Sequence, residues 1–185
     1  MIRPHVKNEY SLIKNVVLGI ADNFGGCPTN EEAYDPKSKQ NILRGTFPIE
    51  SQLNRELGAF EEVLKKYNVN VIRPENIFNC NQVFARDVGF VVENRLFISN
   101  MINKRSREIQ GLELVLKQID SQFIYDLPSD ICVEGGDVII EQNFLFIGYS
   151  NSEDFSSYEV ARTNLNAINY FQTLFPNKKV IGFEL

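Results

Sequence analysis

The chain has 185 residues, of which 43% are hydrophobic and 11% aromatic, so it can bury a substantial core and is unlike a disordered polypeptide. Its formal net charge of −5 argues against a nucleic-acid-binding protein, which would carry a basic surface. No stretch approaches the roughly 18 apolar residues of a membrane-spanning helix, so we expect no membrane partner. The three cysteines include no CxxC pair and indicate reduced thiols of a cytoplasmic protein.

The first third of the chain predicts a strand, a long connection, a helix and a second strand. Lys14–Ala21 reads as the first strand, and Val69–Arg73 as the second, stopped by Pro74. The connection Asp22–Glu50 is long enough to be a lid or binding loop, unless it contains a short helix. From Ser51 the apolar residues alternate steps of four and three, which is typical of a helix. These residues are Leu53, Leu57, Phe60, Leu64 and Tyr67.

The middle of the chain predicts a hairpin, a helix and a strand. The hairpin comprises Val88–Val92 and Leu96–Ser99, with its turn at Glu93-Asn94. A helix near Lys104–Ile119 and a strand Phe123–Tyr125 follow. The buried stripe of that helix is predicted to be Ile109, Leu112, Leu116 and Ile119.

The last part repeats this order with hairpin Val138–Gly148, a helix within Glu153–Phe175 and strand Lys179–Phe183. Ser152 is a candidate N-cap, because Glu153 and Asp154 would then lie at the positive end of the helix dipole. The inner face of this helix is predicted to be Tyr158, Ala161, Leu165 and Ile168.

Two stretches, VFARDVGF (Val83–Phe90) and CVEGGDVII (Cys132–Ile140), are copies of one unit. Each places acidic residues directly before a hairpin, with Asp87 and Asp137 at corresponding points. The chain therefore predicts ββαβ-like modules of about 50 residues in a single α/β domain, with repeat units near 10–75, 83–127 and 133–185. Carboxylates at the same point of two repeats can line one central cavity with negative charge.

The first acidic cluster contains Asn81, Phe84, Arg86 and Asp87. A carboxylate beside an aromatic ring suits a guanidinium group, because the acid accepts paired N–H bonds and the ring offers a stacking face. The alternative interpretation is an ion pair between Arg86 and Asp87 at a strand end, with Phe84 in the core.

The second cluster places Glu134 and Asp137 around two glycines. Glycine permits a positive φ and leaves room for another group to approach closely. The alternative is a tight turn with solvated acids. Because this cluster repeats the position of Asp87, we expect both turns to point toward one axis.

The third candidate is Arg162, near a helix start, which could hold a substrate carboxylate or could be a surface residue. The only histidine, His5, is interpreted as a surface residue. Cys132 lies between apolar neighbours and is interpreted as a buried strand cysteine without a catalytic role.

Taken in order, these motifs resemble the guanidine-modifying superfamily of arginine deiminases, dimethylarginine hydrolases and amidinotransferases, and are most similar to the glycine-amidinotransferase-like proteins. NEYSLIKNVVLGIA (Asn8–Ala21) resembles the amidinotransferase opening, NQVFARD (Asn81–Asp87) the N-x-x-F-x-R-D run, and VEGGDV (Val133–Val138) the E-G-G-D run. GYS…ART (Gly148–Thr163) resembles a G-x-S-x-R-T element with an insertion between Ser150 and Arg162. The resemblance implies a pentein fold, an α/β propeller of five ββαβ modules.

The resemblance also implies the roles of individual residues. Asp87 would bind a substrate guanidinium in a pocket that Asn81 and Phe84 line, and Asp137 would belong to the same binding site. Glu134 would orient and charge a catalytic histidine, and Arg162 would contact a substrate carboxylate. The family's chemistry is covalent: a cysteine thiolate attacks the guanidino carbon, and a histidine acts as general acid and base. No metal or organic cofactor is implied.

The family's histidine segment and late cysteine have no counterpart in these 185 residues. We therefore expect about three of five modules, an incomplete ring with a bare edge, and no turnover of an arginine-like substrate by this chain alone. Three functional hypotheses follow. The chain is the N-terminal part of an amidinotransferase, or of a guanidine hydrolase or deiminase; it is a non-catalytic pentein binding module; or a partner chain supplies the missing modules. A homo-oligomer is one option for its assembly.

Overall fold

A computed structural model of the chain describes residues 1–33, 36–150 and 162–185. The described chain divides into two compact units. The first, called the small unit, comprises Ile13–Ala85 and Arg107–Val115. The second, called the large unit, comprises Met1–Leu12, Arg86–Ser106 and Leu116–Leu185. Among the described residues, no helix combines the length and the apolar composition needed to cross a membrane.

The small unit contains a two-stranded parallel sheet. Strand β1 (Asn15–Val17) pairs with β2 (Asn70–Ile72), and the chain between them forms helices α1 (Pro36–Leu43) and α2 (Glu50–Lys66). The long connection therefore does contain a short helix, α1. The core of the unit joins the sheet to α2 through Leu18, Leu64 and Val69.

Two residues of the apolar stripe predicted for α2 are exposed, so their predicted place on the buried face is wrong. Phe60 is 51% exposed and Tyr67 is 73% exposed. Only Leu64 is fully buried on this helix, and Leu57 packs against it at the edge of the core. A two-stranded sheet covers a narrower part of the helix than the full apolar spacing allows.

The large unit begins its first sheet directly after a single helical turn, α3 (Ala85–Val88). Strand β3 (Gly89–Val92) pairs antiparallel with β4 (Arg95–Ile98), and β4 pairs parallel with β5 (Ile124–Asp126). The hairpin turns where predicted, with Glu93 at a φ of 55°.

Between β4 and β5 lie a 3-10 helix (Asn103–Leu112), the short helix α4 (Glu113–Leu116) and a 3-10 turn (Ser121–Phe123). The helix predicted near Lys104–Ile119 is therefore confirmed as helical over residues 103–116, but only Glu113–Leu116 is an α-helix. A 3-10 helix has three residues per turn, and the fully buried positions Arg105, Glu108 and Gly111 follow that spacing. Of the predicted stripe, only Leu112 is fully buried.

The second sheet of the large unit repeats the first. After a 3-10 turn (Gly135–Asp137), β6 (Val138–Glu141) pairs antiparallel with β7 (Phe144–Tyr149), and β7 pairs parallel with β8 (Lys179–Glu184). Helix α5 (Leu165–Leu174) connects β7 to β8. The mixed α/β architecture of small sheets is as the sequence predicts, and two sheets share one strand order.

Helix α5 lies within the range Glu153–Phe175 that the sequence predicted. Its N-cap is Asn164, whose Oδ1 accepts a hydrogen bond from the Ala167 N–H at 3.2 Å. Leu165 is 46% exposed, while Ala167 and Phe171 are buried, so the predicted inner face is wrong at Leu165. The other predicted features of this segment, Ser152, Glu153, Asp154, Tyr158 and Ala161, lie outside the described residues.

The core of the large unit is rich in aromatic rings. Phe90 and Phe97 of the first sheet contact Phe171 of α5, with ring centroids 6.0 and 5.2 Å away. Phe175, directly after α5, lies 6.1 Å from Phe97. One face of the first sheet is thus buried beneath the helix of the following repeat.

Candidate functional site

Two helical turns at corresponding points of the repeats hold the predicted acids. Asp87 lies in α3, directly before β3, and Asp137 ends the 3-10 turn directly before β6. Glu134 is the N-cap residue of that 3-10 turn. The repeat seen in the sequence therefore has a structural counterpart, a short helical turn that delivers a carboxylate to the start of a hairpin.

The two glycines between Glu134 and Asp137 are required by close approach. Among the described residues, Gly25, Gly26 and Gly45 are the glycines with a positive φ, so the predicted positive φ of the EGGD turn is wrong. A Cβ at Gly135 would collide with the Arg86 carbonyl, and one at Gly136 with the Asp87 carboxylate. The turn therefore lies directly against Arg86-Asp87 of the other repeat, called the RD segment below.

A buried arginine joins the acids of the two repeats. Arg105 Nη1 donates to Asp87 Oδ2 at 2.9 Å and to Glu134 Oε2 at 2.7 Å. The side chains of Arg105 and Asp87 are 4% and 11% exposed, and that of Glu134 is fully buried. The two carboxylates therefore converge on one guanidinium nitrogen that is nearly removed from solvent.

Arg162 completes the cluster from the segment before α5. Its Nη2 donates to Asp137 Oδ1 at 2.8 Å, and its Nη1 to Glu134 Oε2 at 3.1 Å and Asp87 Oδ2 at 3.4 Å. Burial lowers the pKa of Arg162, but the three carboxylates outweigh burial and raise it. Thr163 Oγ1 donates to Asp137 Oδ2 at 2.6 Å. Three acids and two arginines thus form one network, called the acid cluster below.

Glu134 differs from the other acids in its surroundings. Burial raises its pKa to about 7, because Arg105 and Arg162 offset only part of the desolvation and Asp87 and Asp137 add like charge. Its Oε2 accepts from both arginines, whereas Oε1 has no hydrogen-bond partner among the described residues. A buried carboxylate oxygen without a partner is costly, and such atoms often mark functional sites.

A cavity of about 250 Å³ lies beside the cluster in the large unit, lined by Arg162, Cys132 and the segment Asn100–Asn103. The Arg162 side chain is 31% exposed, so part of it remains accessible. Burial and the nearby Asp130 raise the pKa of the Cys132 thiol. A raised pKa keeps the thiol protonated and unreactive. Cys132 is only half-buried and lies outside the strands, contrary to the strand position predicted.

The remaining predicted residues come shortly before Arg86 and Asp87 in the sequence. Asn81 and Phe84 belong to the small unit; Asn81 is exposed, with its Oδ1 accepting from the Val83 N–H at 3.2 Å, and Phe84 is 58% exposed. The structure does not pair Arg86 with Asp87. Arg86 binds Glu9, and Asp87 binds the two arginines of the cluster, so the alternative of a local ion pair with a core Phe84 is wrong.

Sequence reasoning missed Arg105 and Glu9. Projecting the predicted helical stripe back by four residues from Ile109 reaches Arg105, so a charged residue on an otherwise apolar stripe was the available signal. Glu9 gave no local signal, because its partners Arg86 and Ile140 are distant in the sequence.

The chain resembles a known protein over almost its whole length. No family model matches the chain. The uncharacterized protein YkgA of Bacillus subtilis (strain 168) is 33% identical over 182 residues, which are 97% of this chain and 57% of that protein. The chain therefore spans a little more than half the length of this relative.

Several solved structures share the fold. An inosamine-phosphate amidinotransferase of Streptomyces griseus matches with a TM-score of 0.72 at 14% identity, over 96% of this chain and 62% of that chain. DDAH from Pseudomonas aeruginosa, a mutant complexed with citrulline, matches with a TM-score of 0.67 at 15% identity, over 95% and 62%. The amidinotransferase SxtG of Microseira wollei matches with a TM-score of 0.66 at 16% identity, over 97% and 62%. The predicted resemblance is confirmed in fold: the chain has the pentein fold of these guanidine-modifying enzymes.

Proposed function

We propose that this chain is the acid-bearing part of an enzyme that modifies arginine or a related guanidino compound. One observation carries the proposal: Asp87 and Glu134, from two different repeats, both accept a hydrogen bond from the same guanidinium nitrogen, Nη1 of Arg105. Two carboxylates that accept from one guanidinium nitrogen suit a flat cation with several N–H donors. In the enzyme, Asp87 would hold the guanidinium of the substrate and Asp137 would support the same site.

Glu134 would act through a histidine that lies outside these residues. Its Oε1 is a buried acceptor without a partner among the described residues, as a carboxylate that receives an imidazole N–H would require. Such a hydrogen bond would fix the tautomer of the imidazole and stabilise its protonated form. The histidine would serve as general acid and base for the reaction.

The proposed reaction has two steps. A cysteine thiolate, also from outside these residues, forms a bond to the guanidino carbon, and the bond from that carbon to the departing amine breaks as the amine takes a proton. The amidino group then passes from sulfur to an acceptor amine in a transferase, or is released by water in a hydrolase. Cys132 is not a candidate for the thiolate, because burial raises its pKa.

The rest of the substrate would extend toward the 250 Å³ cavity beside the cluster. Arg162 lines that cavity and keeps part of its side chain exposed, which suits contact with a substrate carboxylate. Asn81 and Phe84 are both exposed on the small unit, and a role for them in binding the guanidinium stays a prediction from the resemblance. We further propose a cytoplasmic location, in keeping with three cysteines of which none forms a disulfide.

We also propose that the chain contributes three of five modules to a ring. On the first sheet of the large unit, Phe90 and Phe97 are buried beneath α5 of the next repeat. On the second sheet the corresponding residues are Ile139 and Phe146, and Ile139 is 52% exposed. A following module would cover this face, whether it continues the same polypeptide or belongs to a partner chain.

A non-catalytic guanidino-binding module is the second candidate. It is favoured by the neutralisation of the acids by two arginines of the chain itself, which gives the cluster a structural role without any reaction. The two candidates differ in the covalent step. Mass spectrometry of the longer protein that contains this chain, after incubation with arginine, would detect the amidino adduct on cysteine only if the enzyme proposal holds.

The test of the substrate-binding role is Asp87→Asn in that longer protein. We expect turnover of arginine to fall at least 100-fold, chiefly through a higher KM, because the amide removes the charge that attracts the guanidinium. Asp130→Asn, which changes an exposed acid outside the cluster, is the matched control and should leave turnover unchanged. Wild-type rates in Asp87→Asn would contradict the role, as would measurable turnover by the 185-residue chain alone.

A further inference from the structure

The arginine of the N-x-x-F-x-R-D run has a position that the proposed reaction does not use. Arg86 Nε donates to the Gly135 carbonyl at 3.0 Å, and Arg86 Nη2 to the Val138 carbonyl at 2.6 Å. Gly135 begins the 3-10 turn of the EGGD run, and Val138 directly follows that turn. One side chain therefore binds the backbone at both ends of the turn that carries Asp137. Arg86 is also the direct neighbour of Asp87.

Arg86 is itself held by a second acid from the chain's first residues. Its Nη1 and Nη2 donate to the two carboxylate oxygens of Glu9, at 3.0 and 2.8 Å. Glu9 also accepts from the Ile140 N–H at 3.2 Å, in the strand that follows the EGGD turn. The Arg86 hydrogen bond, aided by that N–H, lowers the pKa of Glu9 against the effect of burial, so Glu9 stays charged at neutral pH.

Glu9 is placed by a segment that crosses the tips of both hairpins. Val6 exchanges backbone hydrogen bonds with Glu93 at the first tip, at 2.7 and 2.8 Å. At the second tip, the Gln142 N–H donates to the Lys7 carbonyl at 2.8 Å. The first residues of the chain therefore connect the tips of the two hairpins.

We propose that Arg86 and Glu9 are positioning residues. They hold the EGGD turn against the RD segment, so that Glu134 and Asp137 face Asp87. The pair itself is partly exposed, at 50% for the Arg86 side chain and 35% for Glu9, and exposed ion pairs contribute little to stability. Its effect lies in geometry, because four hydrogen bonds of one guanidinium fix two backbone carbonyls and a carboxylate in one arrangement.

The small unit contains a matched arginine that makes the same kinds of contact with a different carboxylate and a different backbone carbonyl. Arg73 donates to Glu61 Oε2 through Nε at 3.1 Å and Nη2 at 2.5 Å, and also to the Gly19 carbonyl. Its side chain is 28% exposed. Arg73→Lys therefore removes the same chemistry as Arg86→Lys and serves as its control.

The test follows the titration of Glu134 in the 185-residue chain by carboxyl carbon NMR, with Glu134→Gln identifying the signal. Since burial is the main cause of its raised pKa, a loosened turn that admits water lowers the titration midpoint from about 7 toward 4.5. We expect a fall of about one pH unit in Arg86→Lys, a smaller fall in Glu9→Gln, and no change in Arg73→Lys. Glu9→Gln keeps both carbonyl contacts of Arg86, so it serves if Arg86→Lys does not fold.

An unchanged midpoint in both Arg86→Lys and Glu9→Gln, or an equal fall in Arg73→Lys, would overturn the proposal. This measurement needs no substrate, so its outcome does not depend on the proposed function. Only the effect of the pair on catalysis rests on the proposed function. If the longer protein modifies no guanidino compound while the midpoint shifts as expected, the enzyme proposal fails and the positioning role remains.

Discussion

The two sheets of the large unit have the same strand order, but the face that carries Phe97 in the first sheet and Phe146 in the second is buried only in the first. In the first sheet Phe97 is fully buried, in contact with Phe171 and Phe175 from the next repeat. In the second sheet Phe146 occupies the corresponding strand position, but it is only partly buried and contacts Phe144 and Phe183 of its own sheet. The difference shows that α5 and Phe175 of the second repeat cover the first sheet on this face, whereas the second sheet is more exposed there.

The largest expected effect separates these two phenylalanines. Phe97→Ala should lower the free energy of unfolding by about 3–5 kcal/mol, because it leaves a cavity beneath α5. Phe146→Ala should cost about 1 kcal/mol or less, since the ring is already partly solvated. Urea unfolding of the two variants measures both values. Equal losses would mean that the second face is covered as fully as the first.

Glu134 is the most buried of the three acids, and its contribution to the free energy of unfolding depends on pH. The pKa of Glu134 is about 7, against an ordinary value of 4.5. Below pH 4.5 the group is protonated in both the folded and unfolded chain and has no effect on the pH dependence. Between pH 4.5 and 7 the unfolded chain releases the proton first, so Glu134 lowers stability as pH rises, by up to about 3 kcal/mol.

The measurement for this effect is the free energy of unfolding of wild type and Glu134→Gln across that range. We expect the difference between the two proteins to change by up to about 3 kcal/mol in favour of the variant as pH rises from 4.5 to 7. Parallel curves would contradict the raised pKa of Glu134.

The sequence predicted the hairpins well because their signals are local. Alternating apolar residues and the turns at Glu93 and Gln142, both with a positive φ, define each hairpin without tertiary information. The buried face of the helix near Lys104–Ile119 was predicted wrongly because local signals alone do not determine that face. Its 3-10 spacing buries Arg105 and Glu108, and their burial depends on tertiary partners that a hydrophobic pattern does not show.

The sequence pointed to the three acids and to Arg162, but it did not point to the other cations of the site. Asp87, Glu134 and Asp137 recur at the start of two hairpins, so the repeat itself indicated that they converge. Arg105 and the pair of Glu9 and Arg86 bind across the repeats, over distances that only the folded chain brings together. The glycines of the EGGD turn were recognised as special, but for a positive φ, whereas the reason is the contact of that turn with Arg86 and Asp87.

The central claim, that Asp87 and Glu134 form a receptor for a guanidinium group, is tested most directly by replacing the guanidinium they already hold. Arg105→Ala should destabilise the chain by about 3–5 kcal/mol, because two buried carboxylates lose the more buried of the two arginines that neutralise them. Methylguanidinium at millimolar concentration should then bind in its place and raise the Tm of Arg105→Ala, through the linkage between binding and folding. It should leave the Tm of the wild type and of the Asp87→Asn, Arg105→Ala double variant unchanged. The same response to methylguanidinium in all three proteins, or none in Arg105→Ala, would contradict the account.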